Sequence, residues 1–162
     1  MLRFGKTEKD FLDLYSEYGV NIKRLLLGMT GNEAIADELV QDAFAKAWVS
    51  LPSFGFRSSL KTWVYQVALN VGRDWLRTHK ERNLNFEEKF VQELDEDKKA
   101  VQEALNFLSD EVREILILFY WEGLEVNEMA FVLDIPKGTV KSRLYSARTK
   151  LKEVLLLRGY EL

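Results

Sequence analysis

Only two prolines, Pro52 and Pro136, occur in the 162 residues, and that scarcity constrains the fold more than any other feature. Proline removes a backbone donor and stops a helix, so a chain this poor in it can run helical for long stretches. No segment alternates apolar and polar residues over the length a half-buried strand needs, whereas apolar residues recur every three or four positions almost throughout. The pattern predicts an all-α protein. One helix is expected over 9–29, stopped by Gly31 and Asn32, and a second over 33–50. Pro52 and Gly55 then break the stretch "LPSFGFRSS", after which Ser58 or Ser59 caps a third helix running from Leu60 toward Lys80. These three helices make one module, residues 1–82.

The following stretch, "NLNFEEKFVQELDEDKKA", is rich in acids and thin in apolar repeats. It reads as a linker over 83–100 with at most a short helical piece. Helical spacing resumes at Val101 and runs to Leu108; Ser109 or Asp110 caps the next helix, "EVREILILFYWEG", which Gly123 ends. A short helix over 126–133 stops at "DIP", and a longer one starts near Lys137, which is helix-turn-helix spacing. The expectation is two small helical domains, 1–82 and 101–162, joined by an acidic linker, with the helix-turn-helix in the second.

The formal charge of −3 hides a partition. Residues 1–82 carry 12 basic and 10 acidic groups, 83–135 carry 4 and 14, and 136–162 carry 7 and 2. Local field rather than net charge governs attraction to a polyanion, so nucleic acid stays open as a partner despite the acidic total. If the modules dock, the acidic block and the basic end are the charges expected to meet, hiding the basic face. With no cysteine and one histidine, His79, neither a disulfide framework nor a cysteine- or histidine-based metal centre is expected, and a reducing, cytoplasmic setting fits. The longest apolar run, "ILILFYW" over 115–121, is far too short to insert in a membrane, and the N-terminus has no signal-peptide core. No nucleophile–base pair, metal cluster or phosphate loop is visible, so an enzyme is the weaker reading and no cofactor is implied.

The last helix carries the most specific chemistry. Val140, Leu144, Ala147, Leu151 and Leu155 form one apolar stripe that must pack inward. At about 100° per residue, Lys141, Ser142, Tyr145, Arg148 and Lys152 lie outside that stripe, with Lys137, Gly138 and Thr139 at the N-terminal end. A recognition helix needs this combination: side chains near its start reach base edges in the major groove, while cations and backbone N–H groups hold phosphates.

The segment "ADELVQDAFAKAW", followed by "FRSSLKTWVYQVALNVGRDWLR", resembles region 2 of the extracytoplasmic-function sigma factors, the compact bacterial transcription initiation factors of the sigma-70 family. The C-terminal "LDIPKGTVKSRLYSARTKL" resembles their region 4. The resemblance spans about residues 9–155, in the family's order. It implies that Glu38, Leu39, Gln41 and Asp42 bind the clamp helices of the RNA polymerase largest subunit, although Leu39 fits a core position equally well. It implies that Phe54, Phe56, Arg57, Lys61, Asn70 and Arg73 meet unpaired bases of the promoter −10 element, where aromatics stack and cations follow the backbone. In the same helix, Trp63 is expected chiefly to pack. The resemblance further implies that Lys141, Ser142, Tyr145 and Arg148 read the duplex −35 element, with Lys137, Gly138 and Thr139 on its backbone and Arg143 bracing the motif from within. Anti-sigma factors are common partners in the family, though nothing in the sequence identifies one.

Three departures from the family pattern carry structural expectations. Glu125 stands where a Ser or Thr usually caps the first helix of the turn motif, so a frayed start is expected. Asp134 replaces a frequent Gly in the turn and must tolerate a left-handed backbone. Phe131 replaces a polar residue, as a partner contact or an added packing group. A dimeric helix-turn-helix regulator would also explain the C-terminal module, but it would not require "ADELVQDAFAKAW" or the aromatic loop and helix. Binding to core polymerase separates the two readings.

Overall fold

The structure, a computed structural model, describes residues 8–55, 57–79 and 96–161, and among these it contains helices and no strand. The helices are α1 (Glu8–Thr30), α2 (Glu33–Ser50), α3 (Leu60–Thr78), α4 (Glu96–Leu105), α5 (Asp110–Leu116), α6 (Val126–Leu133) and α7 (Lys137–Leu157). A 3-10 turn, Leu51–Ser53, follows α2, and α5 runs on into a π-helical turn over Ile117–Trp121. The all-α expectation holds. Phe56 and residues 80–95, which include most of the expected linker, lie outside the described residues.

Helix ends fall where local chemistry satisfies the orphan backbone groups. Gly31, at φ 71°, ends α1, and the Asn32 side chain accepts the Ile35 N–H at 3.0 Å to start α2. Ser59 caps α3 by accepting from the Thr62 N–H at 3.2 Å, and Ser109 caps α5. α4 begins at Glu96, five residues before the expected Val101. The start of α6 departs from the frayed end expected there, because the Glu128 carboxylate reaches back to accept the Glu125 N–H at 2.8 Å. Asp134 takes the left-handed conformation, φ 53° and ψ 49°, that closes α6 before Pro136.

Helices α1, α2 and α3 pack on one another around Ile22, Leu25, Met29, Phe44, Tyr65 and Leu69, all essentially without exposure. Gly72 allows α3 to close on α1: a methyl group there would fall 2.7 Å from Met29 Cε. Helix α7 packs on α5 and α6 through Val140, Leu144 and Ala147, as the apolar stripe requires. The two bundles share one continuous core, since α6 lies along the side of α3 and α5 with its π turn lies against α1. The docking differs from the charge pairing expected from the blocks. Acids of the second module meet cations of the first, in Arg24–Glu122, Arg73–Glu114 and Lys61–Glu128, while Arg158–Glu103 ties the end of α7 only to α4. The outer face of α7 stays uncovered.

Candidate nucleic-acid interface

The N-terminal half of α7 presents Lys137, Gly138, Lys141, Ser142 and Tyr145 to solvent, with Thr139 half-buried beside them. Tyr145 is 75% exposed, an unusual position for a large aromatic with no protein partner to cover it. Pro136 sets the start of the helix in extended geometry and supplies no side-chain cap, so the first-turn N–H groups have no capping side chain. The Ser142 hydroxyl donates to the Thr139 carbonyl at 3.1 Å and keeps its lone pairs available as acceptors.

Arg148 is held by a contact that sequence spacing did not anticipate. Its Nε donates to the Tyr120 hydroxyl at 2.7 Å, and the guanidinium lies 4.9 Å from the centre of the Phe119 ring. The π turn makes this possible by adding a residue to the end of α5 and presenting both rings toward α7. Arg143, expected to brace the motif from within, is instead exposed and lines the cleft between the modules with Arg73 and Glu114.

On the first module, Phe54 is a correction to the expected exposed platform. It is 8% exposed, with its ring centre 4.8 Å from that of the half-buried Trp63, because an apolar side chain on this short loop finds the start of α3 before it finds solvent. Arg57 and Asn70 are exposed, and Phe56 lies outside the described residues. Lys61 and Arg73 are both engaged. Lys61 Nζ stands 3.5 Å from Glu128, and Arg73 makes two parallel bonds to Glu114, with Nε–Oε2 at 3.0 Å. The Glu114 acceptor raises the Arg73 pKa further above its ordinary value.

Helix α2 keeps Glu38, Gln41 and Asp42 on its outer face and turns Leu39 into the core at 7% exposure. Of the four residues implied for polymerase binding, three therefore share one accessible acidic and polar surface.

Sequence reasoning missed the polar centre of the docked face. The Glu122 side chain has no exposure; its carboxylate accepts from Arg24 Nε at 2.7 Å, from Arg24 Nη2 at 3.1 Å and from the Tyr65 hydroxyl at 2.6 Å. Burial, and next the Glu122 acceptor, push the Tyr65 hydroxyl far above the ordinary tyrosine range, so it remains a donor. Glu122 directly follows "ILILFYW", so an acid closing an apolar run was the available signal, but its arginine partner lies 98 residues away. Among the described residues no helix is long and apolar enough to cross a membrane.

Residues 14–82 match the family described as Sigma-70 region 2, and residues 98–151 match Sigma-70, region 4. The chain is 28% identical over 151 residues to the ECF RNA polymerase sigma factor SigM of Bacillus subtilis, covering 86% of this chain and 91% of that protein. It is 30% identical over 154 residues to the probable RNA polymerase sigma factor RfaY of Xanthomonas campestris, covering 85% of this chain but 38% of that longer protein. Among solved structures, it resembles the sigma factor RpoE crystallised with the anti-sigma factor NepR from Bartonella quintana, at a TM-score of 0.73 and 26% identity, covering 91% of this chain and 97% of the other.

Proposed function

Because this chain belongs to the sigma-70 family, among the extracytoplasmic-function sigma factors, we propose that two modules divide its task, residues 1–82 binding polymerase and the −10 element and residues 101–162 reading the −35 element. It is an alternative sigma factor, a transcription initiation factor that binds core RNA polymerase and directs it to promoters, and not an enzyme. In this reading residues 83–100 connect the two modules. The dimeric regulator is not favoured, since region 2 accompanies the helix-turn-helix.

Within that division, Glu38, Gln41 and Asp42 contact the polymerase clamp helices while Leu39 supports them from the core. Arg57, Lys61, Asn70, Arg73 and Phe56 meet the unpaired −10 strand, with Phe54 backing the loop rather than stacking on a base. Lys141, Ser142 and Tyr145 reach −35 base edges, and Lys137, Gly138 and Thr139 hold phosphate. Arg148 serves at the rim of that surface, oriented by Tyr120. The observation that carries the −35 assignment is the exposed Lys141, Ser142 and Tyr145 face on a helix whose opposite face is core. The protein works in the cytoplasm, where core polymerase and promoter DNA meet. An anti-sigma factor as a further partner is supported by the NepR complex of the related Bartonella protein. The test is transcription in vitro with purified core polymerase on a promoter library: transcripts from a defined promoter class are expected, and none from any template would overturn the reading.

A further inference from the structure

Arg24, Arg73, Arg77, Arg113 and Arg158 each end on a carboxylate, those of Glu122, Glu114, Asp74, Asp110 and Glu103. Arg148 does not. Among the described residues its partners are all neutral: Nε donates to the Tyr120 hydroxyl at 2.7 Å, and the guanidinium carbon stands 4.9 Å from the centre of the Phe119 ring and 5.7 Å from that of Tyr120. The two rings meet edge to face, at 81° with centroids 4.9 Å apart, so Phe119 takes the face of the guanidinium while Tyr120 takes its Nε edge. A carboxylate orients an arginine by cancelling its charge; a ring and a hydroxyl orient it and leave the charge unspent.

The donors left over are specific. Both Nη groups of Arg148 make no bond among the described residues, and the Tyr120 hydroxyl, having spent a lone pair on Nε, still has its own proton to give. Tyr120 is 54% exposed and Arg148 lies in the open. A planar fork beside one hydroxyl donor fits a compact anion with two oxygens to offer, such as a phosphodiester. The place fits as well: Arg148 lies two turns, about 10 Å, along α7 from Lys141 and on the same face, beyond the turn that reaches base edges.

We propose that Tyr120 and Arg148 form a clamp for one backbone phosphate of the −35 duplex, which makes Tyr120 a DNA-contacting residue from an element outside the helix-turn-helix. The inference rests on the −35 role proposed for α7. The π turn supplies the hydroxyl, and a guanidinium already held in place has less side-chain freedom to lose on binding. Arg148 in this arrangement fixes register on the duplex while Lys141, Ser142 and Tyr145 meet the bases.

The test uses the full-length protein with the −35 duplex defined by transcription and a scrambled duplex, titrated at several salt concentrations. Arg148→Ala should weaken both duplexes by about tenfold and shrink the salt slope by roughly 0.9. Tyr120→Phe keeps the ring and the cation, so it should cost about three- to tenfold with the slope retained. The double variant should fall short of the product of the two losses, because both groups serve one phosphate. Duplexes carrying a single methylphosphonate, moved along each strand, locate that phosphate: one position should weaken the unmodified protein, leave Arg148→Ala unaffected and act less on Tyr120→Phe. If the pair merely staples α7 to the π turn, the variants lower Tm and no methylphosphonate position cancels their effect; that result, or losses that multiply in full, would overturn the clamp. No preference of the unmodified protein for the −35 duplex over the scrambled one counts against the −35 reading, whereas a clear preference with no cancelling position counts against the clamp alone.

Discussion

Lys141 and Lys152 stand on the same face of α7, three turns and about 16 Å apart, and both are exposed. Charge alone does not separate them; position does. Lys141 lies in the turn that can enter a groove, whereas Lys152 is beyond it, so Lys152→Ala should weaken all DNA about equally and shrink the salt slope by roughly 0.9 if it holds one phosphate. Lys141→Ala should lose roughly 1–3 kcal/mol on the preferred −35 duplex and little on a scrambled one. Titrating both duplexes at several salt concentrations decides the matter, and equal loss on matched and scrambled DNA would reduce the helix to a cationic surface. Arg148 shows what spacing does not reveal at this scale. Its angular position on α7 was legible, but its bond to Tyr120 depends on a π turn that no period of 3.6 announces.

Helices and their ends were the most legible level, because caps are local chemistry: Asn32, Ser59 and Ser109 act within three residues of themselves. The turn between α6 and α7 has one compromise, a left-handed aspartate at position 134, exposed and adjacent to Ile135. Asp134→Gly should relieve the crowding of Cβ and stabilise the protein by up to about 1 kcal/mol, read as a small rise in Tm, with −35 specificity unchanged. A loss of stability would mean the aspartate side chain contributes more than its backbone strain costs. On α2 the two faces separate stability from binding. Gln41→Ala with Asp42→Ala should leave Tm nearly unchanged while weakening capture by core polymerase in a pull-down titration, since exposed polar helix positions contribute little to stability. Unchanged capture would remove this face from the polymerase interface.

At the scale of the whole molecule, the charge blocks were visible in the sequence but their partners were not, because Arg24–Glu122 and Arg73–Glu114 join residues brought together only by docking. A block of acids has many ways to find cations, and the geometry that selects among them lies in the π turn and the shared core. That core has a thermodynamic consequence: with apolar packing continuous across both modules, heating should unfold the free protein in a single cooperative transition. Glu122→Ala should destabilise it by about 3 kcal/mol, near the lower end of the cost of breaking a buried pair, because Arg24 keeps access to water while the Tyr65 hydroxyl is left buried without its acceptor. Tyr65→Phe removes one charge-assisted bond and leaves the arginine pair in place, so the expected loss is roughly 1.5 kcal/mol. With Glu122 gone, the second module should begin to melt apart from the first, splitting the transition in scanning calorimetry. Two transitions already present in the unmodified protein would show that the shared core does not couple the modules, and equal losses for Glu122→Ala and Tyr65→Phe would show that Arg24 adds nothing to their docking.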